Sequence, residues 1–288
     1  MEPRMLGASK LRVAPVGLGG MPMSLSGRPA EADAVKVIHA ALDAGMTFID
    51  TADVYCKDHT DIGHNERLIA RALAERPERD HIVVATKGGL ERPNGAWTTN
   101  GRPEHLKKAC DLSLAALGTR AIDIYQLHAP DDDVPLADSV GALAELRTAG
   151  KVRHVALSNV SVEEIEIARA IVPIVSVQNR CNVFDRSSFA NGFVGHCEAH
   201  GIAFLPYCPV GGSRQKERVG SHPGLVAVGA RHGVSPFQVA LAWLLASSPT
   251  MIPIPGASKA RNAVDSAGAM HVTLTSEDRA ELHKAFPI

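Results

Sequence analysis

"AEADAVKVIHAALDAGMTFIDTADVY" (residues 30–55) holds two periodicities in one run. In its first half Ala34, Ile38, Ala41 and Leu42 recur on one helical face, and Gly45 supplies the stop that a helix C-terminus favours. The second half is apolar at "TFID" (residues 47–50) and then places Asp50, Asp53 and Tyr55 within six positions. A helix that hands directly on to a buried strand is half of a βα repeat. This strand ends in a carboxylate, with a phenol five residues on.

The same unit recurs on either side. Strand-like runs "PVGLG", "TFID", "HIVVAT", "IDIYQLH", "VRHVALS", "IVSVQ", "IAFLPY" and "TMIPIP" make eight, with helical patterns between them. In "LADSVGALAELRTAGK" Val140, Leu143 and Leu146 point one way and Gly150 closes the element. Strands alternating with crossover-length helices imply parallel pairing, and continuous Val/Ile/Ala runs imply strands covered on both faces. Eight units in 288 residues predict an α/β fold, a closed (β/α)8 TIM barrel forming one domain over residues 1–288. A short N-terminal hairpin around "LGAS" and extra C-terminal helices complete it. Residues 88–103 and 208–224 read as long loops, which in compact domains commonly bind ligands. Gly17 and Gly19 have the first two spacings of a dinucleotide fingerprint, but the third glycine is missing. "PMSLSGRP" also separates them from the helix such a fingerprint must open.

Thirty basic and thirty-one acidic side chains give a formal net charge of −1, so no global field recruits nucleic acid or an anionic membrane surface. A hydrophobic fraction of 45% with 21% charged residues suits a chain with a sizeable core. No signal-peptide pattern opens the sequence and no window reaches about 18 uninterrupted apolar residues, so no membrane span and a cytoplasmic location are expected. Cys56, Cys110, Cys181, Cys197 and Cys208 are odd in number and lack a C-x-x-C pair, which points away from a disulfide framework or structural zinc. "HTDIGH" (His59, Asp61, His64) is the densest local cluster of metal-ligand types; it reads as a solvated loop, and no metal is expected.

In a barrel of this type the C-terminal strand ends surround the active site. Here six consecutive strands end polar: at Asp50, at Lys87, at His128, at Ser158 and Asn159, at Gln178 and Asn179, and at Tyr207. Ionisable groups directed into one crevice must be paired or used. A phenol titrates near about 10, and a neighbouring ammonium favours the phenolate, so Lys87 is expected to pull the Tyr55 pKa down. Asp50 would keep that lysine charged, and His128 would donate to a developing oxyanion. Together they make a proton donor and an oxyanion site with neither nucleophile nor metal. That suits carbonyl reduction, for which the hydride must come from a nicotinamide.

These residues lie in segments that resemble the aldo-keto reductases, NAD(P)(H)-dependent oxidoreductases on a (β/α)8 barrel. The likeness runs through "VGLGGMPM", "AGMTFIDTADVY", "GHNERLIARAL", "VVATKGG", "DIYQLHAPD", "GKVRHVALSN", "VSVQNRCN", "IAFLPYCPVGG", "SPFQVALAWLL" and "IPIPGASKARNAVDS", nearly the whole length. It implies Tyr55 as general acid, Lys87 and Asp50 as its tuning pair, and His128 as the residue orienting an aldehyde or ketone. It also implies a cofactor site. Gly20, Met21 and Asp50 belong to it, with Ser158, Asn159 and Gln178 around the carboxamide and Tyr207 as a shelf under the ring. Pro209 and Gly211 follow in the next loop. Gly256, Ser258 and Lys259 with the start of the following helix, including Asn262, would clamp the adenosine phosphate, and Asp265 and Ser266 stand where the family reads adenine. Lys259 and Arg261 favour NADPH, with NADH as the alternative. Asn262, Asp265 and Ser266 depart from the family's usual residues there, as do Ala156 and Cys181 elsewhere. Met23, Cys56, Trp97 and His128 are expected to wall the small carbonyl substrate, and an apolar wall with Trp97 suits an aromatic or alicyclic one. A monomer is the family's commonest habit. The alternative is a nucleotide-binding, redox-sensing barrel with little turnover. A metal-dependent barrel hydrolase is disfavoured by strand ends without an H-x-H or multi-carboxylate set.

Overall fold

The computed structural model describes residues 2–286. The chain opens with an antiparallel hairpin, β1 (Arg4–Met5) paired to β2 (Arg12–Val13). Gly7 in its turn has φ +54°, and a Cβ there would lie 2.0 Å from the Val175 carbonyl oxygen. The turn is thus pressed against a barrel strand, where only glycine fits.

Seven strands follow: β3 (Leu18–Gly19), β4 (Phe48–Asp50), β5 (Val83–Gly88), β8 (Ile122–Leu127), β9 (Val152–Ser158), β10 (Ile174–Gln178) and β11 (Ala203–Phe204). They pair in parallel in the order β3-β4-β5-β8-β9-β10-β11. The expected eighth strand, "TMIPIP", closes the barrel without forming a continuous ladder. Ile252 and Ile254 donate to Phe204 and Pro206 on one side, and Gly17 and Gly19 donate to the carbonyls of Pro253 and Pro255 on the other. Proline has no N–H, so no return bonds reach β3 and only single bridges, Gly19 with Gly256 and Phe204 with Met251, remain. The architecture is a (β/α)8 barrel.

Period-two alternation sorts its interior into layers. Phe48, Ala85, Ile124 and Ala156 form an apolar floor, which Leu6 and Val13 of the hairpin seal from below. Two residues further along the same strands, Asp50, Lys87, Gln126 and Ser158 point into the same interior and make a buried polar layer. Beyond it lies the mouth.

The outer layer comprises α1 (Glu31–Asp43), α2 (His64–Ala74), α3 (Pro103–Leu117), α4 (Leu136–Thr148), α5 (Val162–Arg169), α6 (Ser187–Ala190) and α7 (Phe193–His200). It continues with α8 (Gly212–Ser221), α9 (Pro223–His232), α10 (Pro236–Ser247), α11 (Ala260–Gly268) and α12 (Ser276–Ala285). The apolar faces of α1 and α4 are buried as their spacing predicts, each Val, Leu or Ile side chain contributing about 1.5–3 kcal/mol. Gly45 and Gly150 follow these helices at φ +91° and +75°. The two long connections are more ordered than the sequence suggests. The first carries a hairpin, β6 (Leu90–Glu91) with β7 (Thr98–Thr99). The second folds as α8, whose only buried residue is Val219, so no apolar stripe marks it; its Arg, Gln, Lys and Glu residues supply helix propensity instead. Among the described residues no helix is long and apolar enough to cross a membrane.

Candidate active site

At the upper polar layer, Lys87 at the end of β5 meets Asp50 at the end of β4 and Tyr55 on the connection that follows β4. Lys87 Nζ donates to Asp50 Oδ2 at 2.7 Å, to the Thr51 carbonyl at 2.8 Å and to Tyr55 Oη at 2.9 Å. An ammonium has three protons, and all three are used. The lysine is wholly buried and Asp50 is 2% exposed. Burial alone would lower the lysine pKa, but Asp50, then Tyr55, more than offsets it and holds it above its usual value. The other carboxylate oxygen, Oδ1, accepts from Gln126 Nε2 at 3.0 Å and Gln178 Nε2 at 2.8 Å. Amides from two further strands thus fix the carboxylate in place.

Burial pushes the Tyr55 phenol up to about 12 against the pull of Lys87. The expected downward shift is not met, because removal from water and the Asp50 charge together outweigh one cation that Asp50 already shares. Tyr55 therefore keeps its proton at neutral pH. His128, just past β8, is also buried, and burial followed by the nearby Lys87 charge holds its pKa well below normal. It is a neutral imidazole, packed edge-to-face on Tyr55 with centroids 5.8 Å apart, and its Nδ1 is buried without a hydrogen-bond partner. Asn159 Nδ2 donates to the His128 carbonyl at 2.9 Å.

Ser158, Asn159 and Tyr207 meet on the far side of the mouth. Ser158 Oγ donates to the Gln178 carbonyl, Asn159 Nδ2 to Ser158 Oγ, and Tyr207 Oη to Asn159 Oδ1. Asn159 sits at φ +58°, a left-handed turn that asparagine tolerates better than most residues. Gln178, expected beside a carboxamide, commits its amide to Asp50 and Gln126.

The residues expected to clamp a phosphate lie at the closure of the barrel. A Cβ on Gly256 would be 2.7 Å from the Pro22 ring, so this glycine is demanded by close packing of the two chain segments. After Ser258, α11 begins with Lys259 as an N-cap that makes no side-chain cap bond, and its first turn contains no acidic residue. Lys259 and Arg261 are exposed and form no ion pair among the described residues. Free amides at a helix N-terminus beside two unpaired cations fit a phosphate dianion. Asn262 lies in the same turn and is half-buried. Asp265, expected to face adenine, accepts from Ser235 Oγ at 2.8 Å and Gln238 Nε2 at 3.0 Å, and Ser266 is buried next to it. Asp265 thereby serves the α10–α11 contact. Gly20 donates its N–H to the Asp50 carbonyl, and a Cβ on it would strike Asn65 Oδ1; Met21 follows, partly exposed. Pro209 is buried and Gly211, at φ +85°, opens α8.

Of the expected substrate walls, Trp97 is 46% exposed, stacks under the Arg92 guanidinium at 3.8 Å and lies 6.3 Å from the His128 ring. Met23 and Cys56 have no exposed surface and do not line the crevice. Met23 is in the core against α1, and the Cys56 thiol donates to the Asp58 carbonyl, pushed up to about 11 mainly by burial. The His59, Asp61, His64 group is dispersed: Asp61 pairs with Arg28, and His64 Nδ1 bonds Ser24 Oγ. Gln126 was missed by sequence reasoning, although a glutamine inside an apolar strand is a visible signal. Arg92 and Asn65 were missed too. Asn65, a buried residue of α2, ties the Gly20 carbonyl and Thr51 Oγ1 together. A separate pocket of about 520 Å³ lies behind the β6–β7 hairpin, lined among others by Asp53, Leu90, Arg92 and His105, but not by Tyr55, Lys87 or His128.

Known proteins share the sequence pattern and the fold of this chain. The Aldo/keto reductase family model matches residues 15–286. A probable aldo-keto reductase 1 of Glycine max is 32% identical, covering 100% of this chain and 90% of the relative. An uncharacterized oxidoreductase of Schizosaccharomyces pombe is 34% identical over 93% of this chain and 85% of its own length. Among solved structures, a glycerol dehydrogenase from Gluconobacter oxydans superposes with a TM-score of 0.85 at 27% identity, covering 99% of this chain and 94% of the other. The chain belongs to the aldo/keto reductase family and is an oxidoreductase.

Proposed function

We propose that the protein reduces an aldehyde or ketone to an alcohol with NADPH, Tyr55 acting as the proton donor. The observation that carries this reading is the 2.9 Å bond from the Lys87 ammonium to Tyr55 Oη in a buried site. Tyr55 is loaded with its proton at neutral pH, and as that proton passes to a carbonyl oxygen the resulting phenolate already lies against a cation. Asp50 keeps the cation charged. Neutral His128 orients the carbonyl by a hydrogen bond without adding a charge that would compete with Lys87. A bound nicotinamide would supply the hydride to the carbonyl carbon. Ser158, Asn159 and the Tyr207 ring would hold its base, and the α11 N-terminus with Lys259 and Arg261 would hold its phosphates. Those two cations favour the 2′-phosphate form.

The test is a panel of small aldehydes and ketones followed by NADPH absorbance, repeated with NADH and with Tyr55→Phe. Carbonyl-dependent consumption should vanish in Tyr55→Phe while NADPH still binds. A wild type that binds NADPH yet reduces nothing across the panel would overturn the reading.

A further inference from the structure

We infer that Glu166, His196 and His200 form a site for a divalent transition-metal ion, best matched to Zn2+, on the outer helical layer. His196 and His200 are four residues apart on α7 and so share one helical face. Their rings lie 4.4 Å apart, tilted by 52°. Glu166 reaches across from α5 and brings Oε1 to 3.1 Å from His196 Nε2. That nitrogen is buried, yet its geometry leaves it without a hydrogen bond. The candidate ligand atoms of the three residues all lie within 4.8 Å of one another. Bonds of about 2.0–2.2 Å at a tetrahedral ion place ligands about 3.3–3.6 Å apart. The edge between Glu166 and His196 is already near that spacing, and the edges to His200, at most 4.8 Å, close by no more than about 1.5 Å as its exposed side chain turns inward.

The donor set selects the ion. Two imidazoles and one carboxylate suit zinc with a fourth position left to water, whereas calcium and magnesium favour all-oxygen sites. A plain His–Glu ion pair would account for the 3.1 Å contact but makes no use of the second imidazole beside it, 4.4 Å from the first. One feature opposes the ion: Arg169, one turn along α5, donates to Glu166 Oε1. A bound cation would displace this arginine or take the other carboxylate oxygen. The site lies at the C-terminal end of α7, just ahead of β11, and so at the opposite end of the barrel from Tyr55. Zinc here would clip α5 to α7 and leave the crevice untouched.

The chelator-treated full-length chain would be titrated with Zn2+ by calorimetry and with Co2+ by visible absorption, alongside His200→Ala and Arg169→Gln. His200 is exposed, so its variant should fold, and a thermal melt checks this. The proposal expects one zinc per chain and the strong visible bands of tetrahedral Co2+. Affinity should fall at least about tenfold in His200→Ala, roughly 1.4 kcal/mol, and rise in Arg169→Gln. Carbonyl reduction should be unchanged in both variants. Zinc affinity equal in wild type and His200→Ala, or a Co2+ spectrum that stays that of the hydrated ion, would overturn it.

Discussion

Replacing Lys87 with methionine keeps the volume of the side chain and removes its charge. Three hydrogen bonds disappear, and Asp50 is left 2% exposed with only the Gln126 and Gln178 amides around it. Breaking one partner of a buried ion pair costs about 3–5 kcal/mol, because the orphaned charge stays desolvated. The Tyr55 phenol, already at about 12, loses its nearest cation and moves further from ionisation. General acid catalysis is worth roughly 10²–10⁴ in rate, or about 2.7–5.5 kcal/mol at 1.36 kcal/mol per decade. Carbonyl reduction should fall by that factor at saturating cofactor and substrate.

The two losses separate in a double variant. Asp50→Asn with Lys87→Met removes the orphaned charge, so stability in urea should recover most of what Lys87→Met loses, while turnover stays down. Single-turnover rates and equilibrium unfolding of the four proteins in this cycle make the assay. A Lys87→Met variant that keeps more than about a tenth of wild-type turnover would refute the role of the cation. Turnover that recovers together with stability would refute it equally, since folding alone would then explain the defect.

Lys259→Ala with Arg261→Ala should raise the KM for NADPH roughly tenfold or more, since a charge-assisted hydrogen bond is worth about 1.5–3 kcal/mol, and leave the KM for NADH nearly unchanged. Equal losses with both cofactors would show that these cations do not read a 2′-phosphate. Tyr55→Phe should lose less stability than wild type in alkali: between pH 10 and about 12 the unfolded chain releases the phenolic proton and the folded one retains it, so wild-type stability falls as pH rises. Below pH 10 the variant should be the less stable of the two, because a buried Lys87 proton loses its Tyr55 partner at a cost of about 1–3 kcal/mol; across the window that gap should close by roughly 2–3 kcal/mol, read from urea midpoints at successive pH values.

What was legible in the sequence is what period and position encode. Asp50, Lys87 and His128 each end an apolar run, and the period of two turns all three inward above an apolar floor of Phe48, Ala85 and Ile124. The eighth strand was legible as a segment, but its two prolines decide that it closes the barrel by alternate bonds only. What sequence could not give is depth. Whether Lys87 or desolvation dominates the Tyr55 phenol depends on how far the phenol is from water, which several loops settle together. Met23 and Cys56 have the size and polarity of pocket walls, yet long-range packing puts them behind the surface. Asp265 sits at the expected position on α11, but Ser235 and Gln238 come from α10 to claim it.

The polar layer is a poor way to stabilise a barrel. A buried Asp–Lys pair seldom repays the loss of hydration, and apolar residues of equal volume at positions 50 and 87 would pack as well or better. Its surroundings are nonetheless complete: every ammonium proton is bonded, both carboxylate oxygens accept, and Gln126 and Gln178 are oriented by the carboxylate they serve. Such a fully connected network in a dry interior holds its members rigid. The group so positioned is a phenol that keeps its proton in the resting state; in the proposed reaction, a fixed cation lies within hydrogen-bond distance for the moment that proton leaves. Stability forgone at these two strand ends corresponds to reorganisation that need not occur during the reaction, which is where preorganised charge has its largest effect on rate.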